Sequence, residues 1–179
     1  MNEIKLNSLN LKLLLTISSI FIIWGFWFIY RSSFVSEDGI RYFLIFDDGM
    51  ISFRYALNIV NGFGPVWNNN EYVEGISNPL WTLVMSACIY IFGQALSPLI
   101  IQLIGLVLLL LSAFHIYLIS VILSIKFKAK ESLFTILPTM IFFAYYPISY
   151  WSIGGMEVCL LVFLTINVNQ LNVTMLIIM

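Results

Sequence analysis

Along the chain, apolar residues gather into long runs separated by short basic stretches and one broad polar segment. The first run, Leu13 to Tyr30, spans about 27 Å at helical rise, close to the ~30 Å hydrocarbon core of a bilayer. It follows Lys5 and Lys12 and carries Trp24, Trp27 and Tyr30 where an aromatic belt would lie, with no A-x-A-like site after it. It therefore reads as an uncleaved signal anchor rather than a cleaved leader. Residues 31–97 follow as a loop that contains two shorter helical patterns. The first, about 48–61, begins at paired carboxylates and ends at Gly62. The second, about 79–92, starts where Ser77 or Asn78 can cap and Pro79 suits the first helical position, and Gly93 can close its far end. At about 21 Å this second helix is short for a straight crossing and suits the membrane interface.

Three further spans are expected at about 98–125, 133–150 and 158–179. Pro138 and Pro147 should bend the 133–150 span near both ends. The stretch Asn167-Val168-Asn169-Gln170-Leu171-Asn172 is polar for a lipid-facing helix, and no basic flank follows it before Met179. The fold class predicted is thus an all-α polytopic membrane protein, one domain over 1–179.

Charge sets the orientation. With 79–92 treated as a juxtamembrane helix, Lys5, Lys12, Lys126, Lys128 and Lys130 all fall on the cytoplasmic side, as the positive-inside rule requires. The N-terminus is then cytoplasmic and the 31–97 loop lies on the outer side of the cytoplasmic membrane. Glu37, Asp38, Asp47, Asp48, Glu71, Glu74 and Glu157 face that outer compartment.

Composition agrees. The 179 residues are 61% hydrophobic and 9% charged, with a mean hydropathy of +0.98, far from the roughly 25% charge of soluble domains. A net charge of -1 leaves no basic surplus for a nucleic-acid backbone, so no nucleic-acid partner is expected. Cys88 and Cys159 lack C-x-x-C spacing and a neighbouring His, and read as packing residues. His115, alone in an apolar run, reads as a packed or helix-bonded histidine. The N-V-T at Asn172 is a chance match to a glycosylation signal. No charge sits mid-span in the way an ion or proton pathway needs, which leaves little support for a transporter.

The candidate chemistry lies in the outer loop. Asp47, Ile51, Arg54 and Asn58 follow helical spacing, so a carboxylate, a guanidinium and an amide can share one face. Asp47 and Asp48 have two open readings. They can cap and charge-match a helix start, or they can act as a base or hold a divalent cation. The Gly- and Asn-rich turn after Gly62 contains no G-x-G-x-x-G, so Gly62 and Gly64 are not a dinucleotide loop. Trp67, Tyr72 and Trp81 offer sugar-stacking or interfacial surfaces, with interface anchoring preferred for Trp81.

The run E-D-G-I-R-Y-F-L-I-F-D-D-G-M-I-S-F-R-Y-A-L-N-I-V-N-G-F-G-P-V-W-N, continued by E-Y-V-E-G-I-S-N-P-L-W-T-L, resembles the first outer loop of bacterial GT-C glycosyltransferases akin to the terminal arabinofuranosyltransferases. The later Y-W-S-I-G-G-M-E-V resembles that family's second motif, W-x-x-x-G-x-E-T, with Val158 in place of the usual Thr. The resemblance spans about residues 35–160. It implies a GT-C-like transmembrane bundle with juxtamembrane helices in the first outer loop. It also implies transfer of a sugar from a polyprenyl-phosphate donor to an envelope glycan or glycoconjugate, outside the cytoplasm. Asp47 would then be the base that deprotonates the acceptor hydroxyl, with Asp48 orienting the acceptor or binding a cation. Arg54 would neutralise the donor phosphate, and Glu157 would close the site from the second outer loop. Arg41 and Glu74 join the site on motif position alone. Family members carry more spans, so the chain is expected to be a fragment or a truncated product. The alternative is a non-catalytic membrane subunit or remnant that binds lipid-linked sugar or a partner.

Overall fold

A computed structural model of the protein describes residues 8–69, 71, 73, 75–127 and 133–178, with side chains at all of these but 133, 134 and 176–178. The elements in chain order are α1 (Ser8–Arg31), β1 (Ser33–Val35), β2 (Arg41–Phe43), α2 (Asp47–Val60), α3 (Pro79–Lys126), α4 (Leu133–Ala144), α5 (Tyr146–Ile153) and α6 (Val158–Ile178). The protein is thus mostly helical. Three helices, α1, α3 and the 158–175 part of α6, are long and apolar enough to cross a membrane. Lys5, Lys128 and Lys130, on which the expected orientation partly rests, lie outside the described residues.

The long helix α3 is the central element, packing against α1, α2, α4, α5 and α6. It is broken at Gly93, whose φ of 75° and ψ of 163° are not helical. A side chain is strained at that φ, whereas glycine accepts it, so the helix that begins at Pro79 stops there and a second begins beyond it. Buried apolar residues form three clusters. One joins α2 to the start of α3 and α6 through Ile45, Phe53, Ala56, Trp81, Met85, Ile101 and Cys159. A second, with Phe21, Ile29, Leu106, Leu109 and Ile153, ties α1 and α5 to α3. The third holds Leu14, Tyr117, Val121 and Ile136.

Two features depart from the sequence expectation. The expected helix over 133–150 is two helices, with Tyr145 between them at φ -77° and ψ 85°. Pro147 has no N–H to donate to the carbonyl four residues earlier, and its ring would clash with that carbonyl. The chain leaves the helix at Tyr145 and restarts with Pro147 in the first turn, where no donor is required. The segment 31–46, read as loop, holds a short hairpin that the all-α fold class did not include: β1 and β2 pair antiparallel, with Phe34 opposite Tyr42.

His115 is not an isolated histidine. Its Nδ1 pairs with Oε1 of Gln170 on α6, and Phe163 meets its ring edge-on. Two amides of the polar stretch of α6 bond within the helix, Asn167 donating to the Phe163 carbonyl and Asn169 to that of Thr165. An amide bonded back onto its own helix leaves fewer unpaired donors facing hydrocarbon.

Candidate functional site

The helix α2 starts with Asp47 and Asp48 in its first turn, and its N-cap is Phe46, which offers no side-chain oxygen. The expected side-chain cap is therefore absent. The carboxylates still face the positive end of the helix dipole, and both are exposed, with no hydrogen bond to another described residue. The other end closes as the sequence pattern requires. Phe63 N donates to Asn58 O and Gly62 N to Ile59 O, with Gly62 at φ 82°. This is a Schellman closure, for which a glycine is preferred at the left-handed position.

One face of α2 meets the following loop. Asn58 is buried, and its Nδ2 donates to the carbonyls of Val66 at 2.6 Å and Trp67 at 2.9 Å. Arg54 Nε donates to the same Trp67 carbonyl at 3.2 Å. An open cleft of about 480 Å³ results, lined by Asp47, Met50, Ile51, Arg54, Trp67 and Asn68. The helical spacing of Asp47, Ile51 and Arg54 is thus realised as one wall. Asn58 belongs to the scaffold beneath it.

The second motif packs under the other side of α2. The helix α5 ends in its own Schellman closure, with Met156 N donating to Trp151 O and Gly155 N to Ser152 O, and Gly155 at φ 93°. That turn is held from two directions. Trp81 Nε1 donates to Gly155 O at 2.9 Å, and Phe46 N donates to Gly154 O at 2.8 Å. A Cβ on Gly49 would lie 3.4 Å from that Gly155 oxygen. Glu157 follows, half-buried, and its Oε2 accepts from Asn78 Nδ2 at 2.7 Å. Asn78 Oδ1 in turn accepts from Ser52 Oγ of α2 at 2.7 Å. The two motifs, far apart in sequence, therefore meet through Asn78.

The expected site residues separate into three groups. Asp47 and Arg54 share the cleft. Glu157 is joined to α2 on the Ser52 side, and Asp48 precedes Ser52 by one turn on that side. Arg41 is elsewhere: on β2, its guanidinium lies 4.4 Å from the Tyr30 ring centre and donates to Ser33 Oγ at 2.7 Å. It anchors the hairpin to the end of α1 and does not line the cleft. Glu74 and Tyr72 lie outside the described residues. Trp67 lines the cleft, whereas Trp81, 1% exposed, is a core residue and not an interface anchor. Among the described residues no group of three or more His, Cys, Asp or Glu side chains gathers to hold a metal ion.

The residues missed by sequence reasoning are Asn78 as a bridge, Ser52 as its partner on α2, and Asn68 in the cleft beside Arg54. Only Asn78 carried a signal, and that signal pointed to capping.

No protein-family description matches the chain, and no solved structure matches it. Among curated proteins, 84 residues, 41% of the chain, are 32% identical to the terminal beta-(1->2)-arabinofuranosyltransferase of Mycobacterium tuberculosis. The chain spans only 13% of that protein's length. The similarity supports a distant glycosyltransferase-like relationship.

Proposed function

We propose that this protein carries the outer-loop half of a membrane glycosyltransferase site that moves a sugar from a polyprenyl-phosphate donor to an envelope glycan or glycoconjugate on the outer side of the cytoplasmic membrane. The observation that carries the reading is the cleft on α2, where a solvent-accessible carboxylate and a guanidinium lie two helical turns apart on one wall. The partial similarity to an arabinofuranosyltransferase makes an arabinofuranose donor the first to try.

The chemistry needs two charges at that separation. An acceptor hydroxyl attacks the anomeric carbon, the new C–O bond forms as the bond to the phosphate oxygen breaks, and the hydroxyl proton leaves. Asp47 takes that proton as a general base. The leaving group is a phosphate that gains negative charge, and Arg54, already oriented by the Trp67 carbonyl and by Asn68, stabilises it. Seven residues of helix separate the two groups by about 10.5 Å along the axis, enough for a sugar ring between base and phosphate. Asp48 orients the acceptor, and it and Asp47 are the ligands for any divalent cation. Glu157 enters from the second loop.

The test is sugar transfer in membranes from polyprenyl-phosphate arabinofuranose, comparing the wild-type chain with Asp47→Asn. Loss of transfer with intact membrane insertion supports the assignment. Normal transfer by Asp47→Asn removes Asp47 from the role of base.

A further inference from the structure

Asn78 occupies the position just before α3 where the sequence pattern calls for an N-cap, yet its side chain makes no cap to the helix backbone. It is spent on three other groups. Oδ1 accepts from Ser52 Oγ at 2.7 Å and from Thr82 Oγ1 at 3.2 Å, and Nδ2 donates to Glu157 Oε2 at 2.7 Å. An ionised carboxylate only accepts, so the amide nitrogen must be the atom that faces Glu157. The Ser52 hydroxyl on the oxygen side holds the amide in that orientation, with Thr82 Oγ1 shared between Oδ1 and the Asn78 backbone carbonyl at 3.2 Å each.

The backbone at Glu157 is equally fixed. Leu160 N and Leu161 N donate to its carbonyl at 2.9 and 3.0 Å, while Trp81 pins Gly155 two residues earlier. One carboxylate oxygen is thus taken by Asn78. Oε1 accepts no hydrogen bond from another described residue. A lysine or arginine in place of Asn78 would bind the same carboxylate and neutralise it, whereas an amide fixes its direction and leaves the charge whole.

We infer that Asn78 is a positioning residue that aims Glu157 at a sugar hydroxyl, making the Asp48–Glu157 side of α2 a second hydroxyl-binding side of the site, beside the cleft that holds Asp47 and Arg54. The inference rests on the glycosyltransferase reading. Asp48 and Glu157 bring two carboxylates to the Ser52 side of α2, where they accept from hydroxyl donors and repel a phosphate, whereas the cleft pairs one carboxylate, Asp47, with the guanidinium that binds phosphate.

The test compares wild type, Asn78→Asp, Glu157→Gln and the double variant carrying both changes. It reads transfer from polyprenyl-phosphate arabinofuranose to a synthetic oligosaccharide, and thermal unfolding of the same chains in detergent. In the double variant the carboxylate at 78 accepts from Ser52, Thr82 and the amide at 157, so the bridge is rebuilt with its charge moved across it. The expected result is a thermal midpoint restored to that of wild type with transfer still down about a hundredfold, the size of loss that a misplaced group produces. In Asn78→Asp itself, KM for the oligosaccharide should rise while KM for the donor stays constant.

Recovery of both midpoint and transfer in the double variant overturns the inference, because the bridge then serves only the fold. Normal kinetics in Asn78→Asp overturn it as well. Should the changes at 78 and 157 prevent folding, Ser52→Ala loosens the amide without touching Glu157. A several-fold rise in KM for the oligosaccharide at an unchanged midpoint supports the inference, and unchanged kinetics overturn it. A wild-type chain that neither transfers nor shows a donor-dependent thermal shift overturns the glycosyltransferase reading itself and this inference with it, an outcome seen before any variant is made.

Discussion

The indole of Trp81 donates to the backbone carbonyl of Gly155 at 2.9 Å across 74 residues of sequence, and both residues are buried. This bond fastens the turn between α5 and α6 to the start of α3. It sets the height at which Glu157 leaves the turn beside α2.

Trp81→Phe keeps most of the apolar volume and removes the N–H, leaving the Gly155 carbonyl buried without a partner. A stability loss of about 1–3 kcal/mol is expected, read as a lower thermal midpoint in detergent. Trp67→Phe, at the open cleft, should leave the midpoint nearly unchanged; an equal loss at both positions would show that the Trp81 bond has no special part in the fold.

Gly105→Ala should destabilise the contact between α3 and α5. A Cβ at 105 would sit 2.5 Å from the Ser152 carbonyl oxygen, a backbone atom with no rotamer to change. Small residues allow such close approach between helices in a membrane, and overpacking costs typically ~1–3 kcal/mol. Gly25→Ala meets the Leu106 side chain at 2.8 Å instead, and that chain can rotate. The smaller loss should therefore fall on Gly25→Ala, and the reverse order in a thermal scan would contradict the packing described here.

His115→Leu and Gln170→Leu should each weaken the packing of α6 on α3, because each strands a polar partner among apolar side chains. The pair should show a coupling of about 0.6 kcal/mol, the average for hydrogen bonds between membrane helices, and at most about 1.7 kcal/mol. A double-mutant cycle on thermal or denaturant unfolding measures it. Additive losses, with no recovery in the double variant, would mean that the two side chains do not interact.

For the proposed transfer reaction, Asp47→Asn should lower the rate by about 10²–10⁴-fold, the usual contribution of a general base. Arg54→Lys keeps the charge and loses the planar fork that donates to Trp67 and can still reach a phosphate. It should raise KM for the polyprenyl-phosphate donor more than Asp47→Asn does. Arg41→Lys, removed from the cleft, should leave transfer intact; a loss there would return Arg41 to the site.

Several parts of this structure were legible because their causes are local. A run of apolar residues as long as a bilayer core is visible without any tertiary contact, and the apolar stretches at 13–30 and 98–125 fall within α1 and α3. The bounds of α2 follow from carboxylates at one end and Gly62 at the other, and the spacing of Asp47, Ile51 and Arg54 places them on one wall by helical geometry alone. The break at Tyr145 also had a local cause in Pro147. The sequence reading recognised the proline as a bend and underestimated it, since it ends one helix and begins another.

Other parts depended on which distant segment supplies a partner. Asn78 has the signature of a cap whether or not it caps, and only the arrival of Ser52 and Glu157 turns its amide to a bridge. Arg41 stands within the first motif, yet pairing of β1 with β2 carries it to Tyr30 and Ser33. His115 looked solitary until α6 brought Gln170 beside it. Sequence alone therefore placed α1, α2 and the long apolar part of α3, and showed which charged residues can share a helix face, because periodicity, length and end signals act within a few turns. Tertiary structure alone decided which polar groups meet, because a hydrogen bond needs its partner within about 3 Å and only the packing of α2, α3 and α6 sets that distance.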